Sequence, residues 1–351
     1  MNVNDKPSLF GLTNSNRDFS LKDSWGKNQF NSSFPASLCC YLYSKGYKAN
    51  YLAIDNNCFD ILEISIHDIF GIDPFNEDIY FAFESIYTPF QKYVVGSLPR
   101  TDLVIQKRSN GHCLAGLEIK LTALPDNTTC ELNENEYGSE IVVRPDTIVY
   151  LACSIAQNLD NNLSKIFLPK INILDWTEIE EVLKNVDKII QTIDNIAIEL
   201  QNKQSPFLIQ PIWKTIGKSP RLAENCLDVF VWSDAGFTYF ISQIADRNTQ
   251  AKKITRQTRT AIWLYKMLND IILNGRFNHL QIIDELSYNT KNDKAFASAG
   301  NITNKYMLSP RLIKPLITKE EIKNIILGGG QNLLSPERRF DAIIFNSPEL
   351  F

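Results

Sequence analysis

Long apolar runs are missing from this 351-residue chain. None reaches the roughly 18 residues that span a bilayer as a helix. The first residues, MNVNDKPSLFGLTNSNRDF, contain no apolar core and predict no signal peptide. Histidine is scarce: His67, His112 and His279 are scattered, with no HxH, HExxH or paired Cys/His spacing, so zinc chemistry has no support. The cysteines, seven in number, form no CxxC. An odd count without that spacing suggests neither a disulfide framework nor a zinc ribbon, and reduced thiols in a bacterial cytoplasm are the expectation. Gly328–Gly330 lacks the Lys-Ser/Thr of a phosphate-binding loop, and no GxGxxG or GxSxG occurs. A nucleotide cofactor and serine hydrolysis are therefore not expected. Internal repeats and low-complexity tracts are absent too.

What is present is an ordinary globular composition, 44% hydrophobic and 22% charged. That suffices for a sizeable core, read here as one large domain over residues 1–351. Net charge is −4, which argues weakly against a DNA partner. The charge is uneven, however. Residues 49–91 carry eight acids and no Lys or Arg, whereas residues 211–276 carry ten Lys/Arg against five acids. A local basic surface can hold phosphates despite a negative total.

Strand-like and helix-like stretches alternate, predicting a mixed α/β class. Residues 34–46 read as a helix opened by Pro35, and 79–87 are ambiguous between strand and helix. Thr101–Gln106 and Cys113–Leu121 read as strands joined through Asn110-Gly111, a strong hairpin signal. Glu140–Val143 is a further short strand, and Pro145 opens a helix to about Leu159. A long amphipathic helix is expected from Asp175, capped by Asp175 and Glu178, with Ile179, Val182, Val186, Ile189, Ile193, Ile196 and Leu200 on its apolar face. Leu227–Trp232 and Phe237–Ile241 look like strands flanking a turn at Ser233–Gly236. Residues 252–274 look like a basic-headed helix, and Asp341–Phe345 like a short strand.

The chemistry-bearing pattern is Asp102-Leu-Val-Ile-Gln followed by Leu117-Glu118-Ile119-Lys120-Leu121. Side chains alternate along a strand, so Glu118 and Lys120 share one face. If the two strands pair, Asp102 sits beside Glu118. Adjacent carboxylates repel unless a cation lies between them. A hard ion such as Mg²⁺ suits their oxygens, and Lys120 would orient an attacking water or stabilise charge growing on a phosphate. A cross-strand surface ion pair remains the plain alternative. Glu321-Ile322-Lys323 repeats the three residues, but after Thr318 in a helix-capping sequence, where positions i and i+2 do not share a face.

The order strand-Asp, hairpin, strand-Glu-x-Lys, helix resembles the PD-(D/E)XK nuclease superfamily. More specifically, Leu98-Pro-Arg-Thr-Asp102, Leu117-Glu-Ile-Lys-Leu-Thr-Ala-Leu-Pro-Asp126 and Tyr137-Gly-Ser-Glu-Ile-Val-Val-Arg-Pro-Asp146 resemble HindVP-type restriction endonucleases. So do Asn16-Arg-Asp-Phe-Ser20 and Trp25-Gly-Lys-Asn-Gln-Phe-Asn31. The superfamily's Pro-Asp dipeptide is not literal here, since Arg100-Thr101 separates Pro99 from Asp102. The resemblance implies a restriction-endonuclease-like central mixed β-sheet flanked by helices. A nuclease core at about 79–170 would be followed by dimerisation and DNA-recognition elements in 171–351. It implies a type II enzyme, a homodimer that cuts double-stranded DNA at a short palindrome of the GRCGYC kind with Mg²⁺, for which Mn²⁺ can substitute. Asp102, Glu118 and the Ile119 backbone carbonyl would hold the metal, Lys120 would be the catalytic lysine, and Glu84 is a candidate further acid.

Lys252, Lys253, Arg256 and Arg259, with Lys218 and Arg221, are candidate DNA contacts. Arg256 and Arg259 share a helical face, which a solvated helix surface would equally explain. Two other functions stay open at this point. One is a structure-selective repair or recombination nuclease of the same fold. The other is a non-catalytic DNA-binding protein with a decayed nuclease fold.

Overall fold

The computed structural model describes residues 15–16, 48–55, 58–65, 72–73, 76–118, 140–167, 171–201, 213–216, 219–222, 234–248, 254–288 and 296–299. The expected helix at 34–46, the strands at 227–232 and 341–345 and the second Glu-Ile-Lys at 321–323 lie outside the described residues. Within them the protein is mixed helix and strand, in keeping with the α/β expectation.

Strands β1 (Lys48–Asp55) and β2 (Cys58–Ser65) form an antiparallel hairpin. The central sheet is antiparallel in the order β3 (Ile79–Ser85), β4 (Thr101–Lys107), β5 (Cys113–Leu117). Residues 79–83 and 103–105 are apolar without alternation, as in a strand buried on both faces. Ala82 and Val104 join the main core, whereas Phe81, Phe83, Leu103 and Ile105 are buried outside it. The β4–β5 turn is the one expected: Gly111 takes φ +69°, and its N–H donates to the Lys107 carbonyl. Glycine pays no Cβ penalty there.

Strand β6 (Glu140–Val143) pairs with β9 (Phe296–Ala299), and β7 (Trp213–Ile216) pairs with β8 (Ser219–Leu222). Between β6 and β7 in sequence lies helix α1 (Pro145–Leu159), which has Pro145 at its first position and Asp146 in its first turn, as expected. Ile148, Val149, Leu151, Ala152, Ile155 and Ala156 are all buried, so α1 lies inside the core rather than on its surface. A short helix, α2 (Leu163–Ile166), follows.

The amphipathic helix expected from Asp175 is broken in two. Helix α3 (Ile179–Leu183) ends at a turn, and α4 (Val186–Gln201) carries the apolar face onward through Ile189, Ile193, Ile196 and Leu200. Its cap is also different. Asp175 Oδ1 accepts the Thr177 N–H and hydroxyl in a turn ahead of the helix, and Glu178 makes no side-chain cap. Glu181 reaches back instead to accept the Leu174 N–H at 2.6 Å.

Phe237–Ile241, expected as a strand, belongs to helix α5 (Asp234–Ile244). Ala235 through Ser242 are all buried. A helix buried on every side shows no 3.6-residue alternation, and its aromatic, β-branched content then looks like a strand.

Helix α6 (Arg256–Asn274) matches the basic-headed helix. Thr255 caps its start by accepting the Thr258 N–H, and Gly275 at φ +74° ends it. Helix α7 (His279–Glu285) follows. Helices α1, α4, α5 and α6 pack together as the helical half of the core. Among the described residues no helix is long and apolar enough to cross a membrane.

Candidate active site

Antiparallel register builds the site. Leu103 pairs with Leu117, so one row further on Asp102 of β4 lies opposite Glu118, just past β5. Across the other edge of β4, Phe83 pairs with Leu103 and Ser85 with Thr101. Glu84 and Asp102 occupy the row between those pairs. Glu84, Asp102 and Glu118 thus stand in one row across the three strands, each half-buried. Glu84 reaches this row from a strand, which settles the ambiguity at 79–87. Its backbone is left-handed, with φ +48°, an uncommon conformation for a residue with a Cβ.

Glu118 is held by two buried hydroxyls. Thr101 Oγ1 lies 3.1 Å from its Oε2, and also donates toward the Leu117 carbonyl at 3.0 Å. Thr147 Oγ1, in the first turn of α1, donates to Oε1 at 2.9 Å. Both threonines are about 2–3% exposed. A hydrogen bond to an ionised group contributes about 1.5–3 kcal/mol. A carboxylate offers about four lone-pair sites, so two hydroxyls orient it without exhausting it.

Helix α1 also fixes the strand beneath Glu118. The Tyr150 hydroxyl donates to the Gly116 carbonyl. A Cβ at Gly116 would stand 3.1 Å from the Tyr87 ring and 3.2 Å from the Tyr150 ring, so glycine lets the two tyrosines close on the backbone. Burial, then the nearby Asp234 and Glu118 charges, hold the Tyr150 phenol well above its ordinary pKa, which keeps it a donor. One helical face continues from there. The Ser154 hydroxyl donates to Asp234 of α5, and Asn158 Nδ2 donates to the same carboxylate at 3.1 Å.

A hard divalent ion fits this chemistry, because facing carboxylates of like charge ask for a cation. Among the described residues, Glu84, Asp102 and Glu118 included, no three Asp, Glu, His or Cys side chains are grouped so as to hold a metal ion. Mg²⁺ needs no cage, since it retains several waters and takes one or two carboxylates.

The other candidate residues divide. Ile119, Lys120, Lys218, Lys252 and Lys253 lie outside the described residues. Arg256 opens α6 and Arg221 lies on β8, paired with Lys214. Arg259 is not a surface contact: it is 1% exposed. Its guanidinium lies over the Trp263 ring, 5.7 Å from the centroid, and Nη1 donates to the Ser287 carbonyl at 3.1 Å. The mid-section of α6 is buried all round, so the helix has turned inward by its second turn. Thr101, Thr147 and Tyr150 were not anticipated. Their contacts span 17, 29 and 34 residues, and no local pattern encodes such pairings.

Comparison with known proteins supplies the class, a restriction endonuclease. The chain belongs to the HindVP restriction endonuclease family, whose model matches residues 25–351. It is 55% identical over 351 residues to the probable type II restriction enzyme HindVP of Haemophilus influenzae, covering 99% of this chain and 96% of that protein. It is 43% identical to the type II restriction enzyme HgiDI of Herpetosiphon aurantiacus, covering 99% and 98%. Both relatives are type II enzymes by name, and the chain is an enzyme of that class. No solved structure gives a significant match. The resemblance seen in the strings of the first half therefore extends through the second.

Proposed function

We propose that this protein is a Mg²⁺-dependent type II restriction endonuclease that hydrolyses phosphodiester bonds in double-stranded DNA, with the row Glu84, Asp102 and Glu118 as its metal-binding edge. The observation that carries the reading is the antiparallel register setting Asp102 opposite Glu118, whose carboxylate two buried threonines orient. Acids set opposite each other in register and half-buried are the kind of charge cluster that supports a functional-site reading.

The PD-(D/E)XK fold is the architecture this reading adopts, supported by the antiparallel β3–β4–β5 unit with α1 packed against it. When bound, the ion polarises the scissile phosphate and lowers the pKa of a water. Asp102 and Glu118 bind it, with Glu84 and the Ile119 carbonyl as further oxygen donors. Lys120 comes two residues after Glu118 in sequence, the spacing at which side chains of an extended strand share a face. Its ammonium orients the attacking water and offsets negative charge on the phosphate. Lys218, Arg221, Lys252, Lys253 and Arg256 are the proposed phosphate and base contacts. A homodimer reads a short palindrome, GRCGYC-like in the family resemblance, because two-fold protein symmetry matches a two-fold site.

The test is digestion of methylation-free plasmid DNA with Mg²⁺, followed by sequencing of the cut ends. Defined cuts that vanish with EDTA, in Asp102→Ala and in Lys120→Ala are expected. Intact DNA with Mg²⁺ and with Mn²⁺ from a folded wild-type protein would sink the proposal.

A further inference from the structure

The central sheet has a fourth participant, far away in sequence. Ser15 forms a parallel bridge with Phe81 on the outer edge of β3, and the Asn16 N–H donates to the Phe81 carbonyl at 3.2 Å. The Asn16 side chain then continues the pairing. Its Nδ2 donates to the Phe83 carbonyl at 3.0 Å, and its Oδ1 accepts the Phe83 N–H at 2.8 Å. A carboxamide carries the same donor and acceptor as a peptide unit, so one side chain acts as the next peptide of an added strand.

Phe83 directly precedes Glu84, the residue with φ +48°. A left-handed backbone is unfavourable at a residue with a Cβ and persists where its surroundings over-determine it. Here the surroundings are visible. Phe83 stands in register with Leu103, and its own N–H and carbonyl are both taken by Asn16 at the sheet edge. Ser85 is fixed in turn by its pairing with Thr101. The strand is thus pinned immediately before and immediately after the left-handed residue.

We propose that Asn16 is a positioning residue of the metal edge: by clamping the Phe83 backbone it holds Glu84 in the conformation that sets it in the row with Asp102. The inference rests on the reading of that row as the metal site. Loss of a partner that orients a ligand weakens metal affinity about 10- to 100-fold, and this sets the expected effect.

The experiment compares wild type, Asn16→Ala and Asp102→Ala. It measures plasmid cleavage across a Mg²⁺ titration, Mn²⁺ binding to the protein by calorimetry, and the thermal unfolding midpoint. Asn16→Ala is expected to raise the half-saturating Mg²⁺ and the Mn²⁺ dissociation constant by about tenfold or more, with most of the cleavage rate recovered at high Mg²⁺. Unchanged metal dependence overturns the inference, including the case where only the midpoint falls, since that outcome is purely structural. If Asn16→Ala does not fold, Asn16→Asp carries the same test, because it keeps the acceptor for the Phe83 N–H and loses the donor. An active Asp102→Ala overturns the metal-site reading itself. An inactive Asp102→Ala beside an unaltered Asn16→Ala overturns only the positioning role.

Discussion

Replacing Thr147 with valine removes one hydroxyl and almost no volume. Thr147 is 2% exposed and donates to Glu118 Oε1 at 2.9 Å. Valine keeps the β-branched shape that the first turn of α1 packs, so the change reports on the hydrogen bond alone. A bond to an ionised acceptor contributes about 1.5–3 kcal/mol. Glu118 keeps its second partner, Thr101 Oγ1 at 3.1 Å, so the lower half of that range applies. If the bond holds Glu118 in its working orientation, about 1.5–2 kcal/mol appears in the barrier, a slowing of roughly 10- to 30-fold. The assay is single-turnover cleavage at saturating enzyme and Mg²⁺, with Thr147→Ser as the variant that restores the hydroxyl. Circular dichroism melting checks that the fold is intact. A Thr147→Val enzyme with the wild-type rate would refute the claim that the threonine hydroxyls orient the carboxylate. So would a Thr147→Ser enzyme as slow as the valine variant.

Arg259→Ala is expected to lower stability by on the order of 3 kcal/mol, through lost packing on Trp263 and the lost hydrogen bond to the Ser287 carbonyl. Urea unfolding measures it, and a variant of normal stability with weakened DNA binding would return Arg259 to the DNA surface. Stability is expected to fall as pH drops below about 6.5, the unfolded histidine value, through His279. This side chain is 5% exposed, and burial depresses its pKa against the opposing pull of Asp146. The unfolded chain binds the proton at higher pH than the folded one, so stability is complete above the unfolded value and is lost as pH falls through the folded one. His279→Leu should flatten the pH dependence of the melting midpoint, and an equally steep profile in that variant would exclude His279 as its source.

Local sequence carried much of the site. The Asn110-Gly111 turn between two apolar strands implied the hairpin, and the hairpin implied that Asp102 and Glu118 could meet. Pro145 marked the helix that follows. These features were legible because turn chemistry, strand alternation and the first helical position are decided within a few residues. Helix α5 was not, since all-round burial erased the periodicity that would have revealed it. The break between α3 and α4 was hidden as well, because the apolar spacing runs straight across it. Arg259 misled for a related reason: a basic residue near a helix start reads as solvent-facing, and only the packing of α6 showed otherwise.

The sequence by itself determined the chemical types and their order along the chain: Asp102, then Glu118, and beyond it Lys120, at spacings a strand can use. The longer strings around them determined the family. Only the tertiary structure decided which groups hold those acids. Thr147 reaches Glu118 from a helix, Tyr150 braces Gly116, Glu84 joins the row from the neighbouring strand, and Asn16 closes the sheet edge. Each of these contacts is long-range, made where two separately folded segments meet. Local propensity acts over a few residues, whereas such meetings depend on which faces the whole core buries.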